Sequence, residues 1–500
     1  MRGMLGSGIA TSVNGRLWLV ACVMGMPVQC QAQARGTEEA LRRQDERSRV
    51  QQQAIAAADG GTLLPTDAMQ WPQQLPKEAT CFVMSEITLQ GPDVERLPWL
   101  GRPLQDYVGQ CIGVNGVALL AKALNDSLIE QGYVTSRVTV GAQSLASGRL
   151  AYTLHAGRVG QIRFASNPAQ DSVTGGQWWN AIPTATGRLL NSRDLEQGVE
   201  NMQRLPSQSV KTLIEAGAEP DTSDIVLERR LGPLSERMRG GITLDNSGSS
   251  SLGRAQMSAN IALDNPLGLS DIVGLSFNGN AQNPNAQHRS QSLALNYSVP
   301  LGYGLVSFNT NYSRFAQKVA LTTTEVLSSG TSTSAELKWQ QTLLRTASSK
   351  TALSASVLTR RASSFLDDVE LLVQRRQLSF FDLGLQHKWM VGTGATLDLD
   401  ANLRRGVSWL NAQDDDAALT NDQYSLRPHI WLANANFQWP FKIHDLALHV
   451  SSSLHLQHST QRLLTADQMG IGSRYTVRGF DGDASLVAEN GWTWRNQLDV

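Results

Sequence analysis

From Leu234 onward apolar residues recur at every second position, and this period constrains the fold more than any other feature of the sequence. Leu293, Leu295, Tyr297 and Val299 alternate with Ala294, Asn296 and Ser298, and Val306, Phe308 and Tyr312 with Ser307, Asn309 and Asn311. Leu446, Leu448, Val450, Leu454 and Leu456 alternate with Ala447, His449, Ser451, Ser453 and His455. Successive side chains of a strand point to opposite faces, so each segment carries one apolar and one polar face. A soluble sandwich would bury the apolar face and does not need such long, evenly placed strands. A transmembrane barrel turns it to lipid and keeps the polar face for a wet interior.

The connections sort into two kinds. Short turns fall at residues 264–268, 300–304, 391–394 and 440–442, and longer polar loops at 279–291 and 411–422. Short turns on one side and long loops on the other is the outer-membrane arrangement, with the short turns periplasmic. Trp431, Trp439, Trp492 and Trp494 suit interfacial girdles. About twelve strands fit between residues 233 and 500.

Composition agrees. The net charge of −1 gives no field that would select nucleic acid. A hydrophobic content of 41% with mean hydropathy −0.23 is too polar for a helical membrane protein. Past the first 35 residues no apolar run reaches the roughly 18–20 residues of a spanning helix.

The N-terminus reads as a secretory signal over residues 1–34: Arg2 and Arg16, an apolar stretch at 17–28, and an Ala32-Gln33-Ala34 cleavage site. The rival is a lipoprotein box ending at Cys22, but the apolar stretch before it is very short. Cys22 and Cys30 leave with the signal. Cys81 and Cys111 remain in an oxidising compartment, where a disulfide is the natural inference and two buried free thiols the alternative.

Residues 37–58 have helical character but are polar nearly all round, with only Leu41, Val50 and Ile55 as larger apolar residues. Such a helix lies in water, as a solvated leader, or inside a polar lumen; at 1.5 Å per residue it would span about 33 Å. Residues 60–78, with Pro65, Pro72 and Pro76, form a stiff linker.

Two units of the same order follow. The first has a strand at 81–89, a helix at 117–131 with Leu120, Leu124 and Leu128 on one face, a stop at Gly132, and strands at 134–140 and 149–155. The second has a strand at 159–164, a helix at 193–204 capped by Asn191 or Ser192, and strands at 210–215 and 224–228. Each is an α+β module of roughly 75 residues, a size at which one core is marginal and a bridge between Cys81 and Cys111 would help.

Enzyme motifs are absent from the sequence: no P-loop, no H-E-x-x-H, no G-x-S-x-G and no paired C-x-x-C. His449 and His455 share strand parity but stand about 20 Å apart along a strand, too far for one metal, and read as polar lumen lining. Asp414-Asp415-Asp416 reads as a solvated outer loop. No cofactor is expected. The segment 470–490 is unusual: a long loop that holds Val477, Phe480 and Leu486 beside Arg474 and Arg478. A solvated loop gains nothing from those apolar groups, whereas one folded into a polar lumen does. Arg478 could then fork onto an acidic wall residue, with Gly479 allowing a tight turn.

CFVMSEITLQG (81–91), GYVTSRVTV (132–140), LLNSRDLEQGVENMQRLPS (189–207), LDNPLGLSD (263–271) and VRGF (477–480) together resemble the haemolysin/haemagglutinin secretion-activation transporters of two-partner secretion, within the barrel-assembly superfamily. The resemblance implies a multidomain fold: a plug helix (35–59), a linker (60–78), POTRA modules at 79–156 and 157–232, and an antiparallel transmembrane β-barrel from 233 to 500. Sixteen strands are expected of such a barrel, so the chain to Val500 is expected to be incomplete, with the acidic partner of Arg478 beyond it. The resemblance also implies that Val477, Arg478, Gly479 and Phe480 form a lumen loop that gates transport. It implies export of a large exoprotein with an N-terminal secretion domain. Outer-membrane lipid, the barrel-assembly machinery and periplasmic chaperones are the other expected partners. An insertase of the same superfamily is the alternative, and two modules argue against it. A diffusion porin would need no modules.

Overall fold

The structure is a computed structural model that describes residues 71–165, 177–246, 248, 252–282, 285, 287–320, 324–391, 394–415, 423–472, 476–477 and 486–500. The signal segment, the helix expected at 37–58, and Arg474, Arg478, Gly479 and Phe480 lie outside the described residues.

The first module contains β1 (Glu86–Gln90), α1 (Val114–Glu130), β2 (Arg137–Thr139) and β3 (Arg149–His155). β3 is central, parallel to β1 and antiparallel to β2. The apolar stripe of α1 buries Val117, Leu120, Leu124 and Leu128 against Ile87, Leu150, Tyr152 and Leu154. The helix starts at Val114, earlier than its apolar spacing suggests. The Glu78 carboxylate accepts from the backbone N–H of Asn115 (3.0 Å) and Gly116 (2.9 Å), satisfying the open first turn from a distance. Gly132, at φ 89°, ends it.

The single strand expected at 81–89 is two strands. Phe82–Val83 pairs with Cys111–Ile112, and the chain changes partner at Met84 and Ser85 before joining the main sheet as β1. The break is bonded: Met84 N–H donates to Gln110 O (3.1 Å) and Ser85 N–H to Gly148 O (2.7 Å). Cys81 and Cys111 are joined by a disulfide beside this small ribbon.

The second module repeats the order with β4 (Arg158–Phe164), α2 (Ser192–Gln203), β5 (Gln208–Ala216) and β6 (Thr222–Leu231). Here β6 is central, parallel to β4 and antiparallel to β5. Asn191 caps α2, its Oδ1 accepting from Arg193 N–H at 2.8 Å. Leu195 and Met202 pack with Val210, Ile225 and Leu227.

The rest is one thirteen-stranded antiparallel sheet. Its path runs β7 (Met238–Asp245), β8 (Gln256–Asp264), β9 (Ile272–Asn280), β10 (Arg289–Leu301), β11 (Gly304–Ala320), β12 (Glu325–Arg345), β13 (Ser349–Leu366), β14 (Arg376–Val391), β15 (Ala395–Val407), β16 (His429–Ile443), β17 (Leu446–His458) and β18 (Gly491–Asp499). The short strand Val369–Glu370 pairs with β13 off this path. Each strand lies beside its sequence neighbour, so the up-and-down order that alternation implies is the observed one.

The sheet is inside-out relative to a soluble protein. Leu293, Leu295, Leu337, Leu385, Leu399 and Trp389 are exposed, while Ser292, Asn311, Ser313, Ser354 and Ser356 are buried. The apolar side is the lipid side. Trp431, Trp439, Trp492 and Trp494 all lie on it, exposed. Among the described residues no helix is long and apolar enough to cross a membrane.

One turn falls elsewhere than expected. Pro440 is not in a turn but in β16, opposite His449. Pairing of β16 with β15 stops at Gln438, so the missing proline N–H costs no ladder bond on that side. The chain reverses later, where His444 takes a left-handed φ of 55°.

Candidate functional site

Two places concentrate buried charge: the polar interior of the sheet, and the joint between the second module and the short turns.

In the interior, strand parity puts Asp382 of β14 opposite Arg404 of β15. They form a forked pair, Nε to Oδ1 at 2.9 Å and Nη2 to Oδ2 at 2.7 Å. Phe380, fully buried, lies between two guanidinium groups, Arg404 at 5.5 Å and Arg360 at 5.8 Å from its ring centre. Arg360 of β13 points away from the wall and donates to Asp467 at 2.9 Å. Both side chains are nearly sealed, 8% and 3% exposed.

Asp467 belongs to the connection after β17, where Thr465–Asp467 makes one 3-10 turn. β14, β15 and β16 separate β17 from β13 in the sheet, so this loop crosses the interior to reach Arg360. Apolar contacts hold it there: Leu464 is buried with Leu378 and Phe380, and Leu358 and Leu426 pack against them. The Asp467 carbonyl accepts from Gln457 Nε2 at 2.9 Å. The loop continues into a ribbon of Met469–Ile471 paired with Leu486–Ala488.

Of the expected gating residues only Val477 is described. It is partly exposed and, with Ile471 and Thr476, lines a cavity of about 490 Å³ against Ser451 and Ser453 of β17. Nearby, Gly472 N–H donates to Thr476 Oγ1 at 3.1 Å. His455, expected to line the lumen, meets Asn434, with Nδ1 and Oδ1 2.5 Å apart. Asp415, expected in a solvated loop, accepts from Ser425 Oγ at 2.7 Å and Leu426 N–H at 2.5 Å, so it braces the loop instead.

At the joint, α2 and residues near it meet the short turns. Asn201 Nδ2 donates to Gly302 O (2.7 Å), and Gly302 N–H to Asn180 O (2.7 Å). Tyr303 donates to Asp194 (2.6 Å), Arg204 to Ser298 (2.7 Å), and Ser207 Oγ to Asp264 (2.7 Å). Glu200 is clamped by Arg345 and by Lys350 Nζ, the latter at 2.5 Å. Burial alone would raise the Glu200 carboxyl, but Lys350 and Arg345 overcome it and hold the group below its ordinary value. Asp194 goes the other way: burial raises it, and the Tyr303 hydroxyl and Arg188 offset only part of that. Every contact is with the short-turn end, so the modules stand on the side that alternation assigns to the periplasm. A cavity of about 200 Å³ opens there between Glu200, Lys350, His387, Lys388 and Asp398.

Sequence reading did not single out Arg360, Asp467, Asp382, Arg404 or the Glu200 clamp. The usable signal was parity: Asp382 and Arg404 stand at polar positions of alternating strands, where a charge has only the lumen to face. No local signal pairs Arg360 with Asp467, which is 107 residues away.

Residues 221–500 match the family described as haemolysin secretion/activation protein ShlB/FhaC/HecB. Residues 82–157 match the ShlB-type POTRA domain, and residues 158–216 a further POTRA domain. The outer membrane transporter CdiB-2 of Burkholderia pseudomallei (strain 1026b) is 32% identical over 443 residues, covering 85% of this chain and 74% of that protein. The outer membrane transporter CdiB of Escherichia coli is 31% identical over 429 residues, covering 84% of this chain and 69% of that protein. The solved structure of CdiB from Escherichia coli aligns at a TM-score of 0.80 and 28% identity, covering 93% of this chain and 83% of that one.

Proposed function

The chain belongs to the haemolysin secretion/activation family of ShlB, FhaC and HecB, outer-membrane transporters of two-partner secretion, and we propose how its parts divide that work. Its POTRA modules are periplasmic and its barrel lies in the outer membrane.

The proposed cargo is a large exoprotein of haemolysin or adhesin type, bearing an N-terminal secretion domain and arriving unfolded. The proposed modules are residues 79–156 and 157–232, ahead of a barrel from 233. The second offers an edge strand, β5, with Leu213 and Ile214 exposed, suited to taking an extended segment by β-augmentation. The observation that carries the reading is the joint. The helix that builds the second module's core is bonded to the mouth of a polar interior, so a captured segment is already at the entrance.

Within the lumen, residues 35–59 and the loop carrying Val477, Arg478, Gly479 and Phe480 act as the stopper that cargo displaces. The work is transport without catalysis. No nucleotide-binding motif stands in the sequence, and folding of the cargo outside supplies the drive. The inside-out surface requires assistance before insertion, the task of periplasmic chaperones and the barrel-assembly machinery.

The test is co-expression with an exoprotein that bears an N-terminal secretion domain. Intact transporter should place cargo at the cell surface, and deletion of the transporter or Arg478→Ala should leave it in the periplasm. Cargo still at the surface after deletion would sink the reading.

A further inference from the structure

We propose that Arg360 and Asp467 form a latch that holds the loop after β17 against the lumen wall, and that this pair positions the Val477 segment. Two arginines flank Phe380, and they differ in what they hold. Arg404 is tied to Asp382, a register partner on the adjacent strand, so its pair lies within the wall and has no reason to part. Arg360 reaches off the wall to a carboxylate on a loop. Its pair is therefore the joint at which wall and loop can separate without breaking a strand ladder.

The surroundings fit a latch. Asp467 stands in a single turn flanked by Leu464, which packs on Phe380, and by Met469, where the ribbon toward Val477 starts. Apolar contact and ion pair thus act at one point on the loop. The pair is sealed from bulk water, where a charge left without its partner is costly, so the closed loop is strongly preferred. Polar side chains line the route beyond: Ser354 and Ser356 of β13 share strand parity with Arg360 and are buried. Once the loop leaves, Arg360 faces a wet, hydrogen-bonding wall, which makes release feasible. Arg404 keeps Asp382 as its partner whether or not the loop is in place, so the wall's own ion pair is unchanged by release.

The proposal rests on the loop lying in the lumen and not on the identity of the cargo. The experiment therefore needs no cargo. Val477→Cys is introduced into the full chain in outer membranes, Cys81 and Cys111 being bonded to each other. A bulky membrane-impermeant maleimide is added, and the labelling rate is compared among the parent, Arg360→Ala, Asp467→Ala and the double variant. Heat-modifiable migration on gels reports barrel folding, and Asp467→Asn, which keeps the shape, replaces any variant that fails it. Each single change should speed labelling at least tenfold, and the double variant should be no faster than the faster single, because both remove one interaction. Unchanged labelling in both folded singles, or multiplying effects in the double, would overturn the latch. A failure of the export reading would instead appear as normal labelling behaviour with no cargo at the surface.

Discussion

Tyr303, in the turn between β10 and β11, donates a 2.6 Å hydrogen bond to Asp194 on α2. The bond joins a barrel turn to the helix that fills the second module's core. Asp194, Gln197, Glu200 and Asn201, at helical spacing, put one polar face of α2 on the barrel mouth, while Leu195 and Met202 face the module. One helix thus serves two interfaces, and the module's orientation over the lumen follows from its own packing.

Tyr303→Phe removes that donor and leaves a buried carboxyl short of a partner. The module–barrel joint should lose about 1–3 kcal/mol. The check is limited proteolysis between residues 231 and 238, which should be several times faster than in the parent while the barrel stays intact.

Glu200 sets a pH dependence of definite sign. Its folded carboxyl lies below the ordinary 4.5, so the stability it contributes is full above that value and is lost as pH falls through the lower folded one. Asp194, raised by burial, has the opposite sign and gains as pH falls. Glu200→Gln should weaken the joint at pH 7 by about 3 kcal/mol, because Lys350 loses its bonded carboxylate and buried Arg345 keeps only the longer contact to Glu196 at 3.7 Å. Between neutral pH and the acid limb the parent's melting temperature should fall toward the variant's. A variant that keeps the parent's acid-limb slope would contradict this assignment.

The first module depends on its covalent staple. Cys81 and Cys111 are 30 residues apart, and opening that loop should cost about 3–4 kcal/mol. A Cys81→Ser, Cys111→Ser double variant should unfold the first module earlier on heating, and reducing agent should shift the parent to the same midpoint. The barrel transition should not move.

How much of this was legible in the sequence depended on range. Strand alternation around Leu293 and Leu454 is local and period-exact, so face and order were readable before any partner was known. The helix stripe Leu120, Leu124, Leu128 was readable for the same reason. The start of α1 was not, since its cap comes from Glu78, outside the helix and on another segment. The strand at 81–89 looked continuous because nothing local marks a change of partner at Met84; Gly148 and Gln110 impose it from afar. Pro440 read as a turn because proline lacks a ladder donor, yet it is tolerated where the neighbouring strand has ended. The Arg360–Asp467 and Glu200–Lys350 pairs required the curved sheet and the docked module before their residues could meet.

The inside-out surface gives the last prediction. Leu385 of β14 is exposed, and its register neighbours Leu353 and Ala401 make the same face apolar across three strands. In lipid that face has no water to solvate a charge. Leu385→Arg should therefore cost about 2–4 kcal/mol of folding stability in bilayers, the range for an arginine near the midplane. Leu385→Ala keeps the face apolar and should cost far less. Moving the same charge one position along the strand, with Gln386→Arg, turns it to the wet interior, where Glu200, Asp398 and Asp400 line the same cavity as Gln386. That variant should fold nearly as well as the parent. Equilibrium unfolding in vesicles by tryptophan fluorescence would compare the three. Equal losses for Leu385→Arg and Gln386→Arg would mean that β14 does not separate lipid from water.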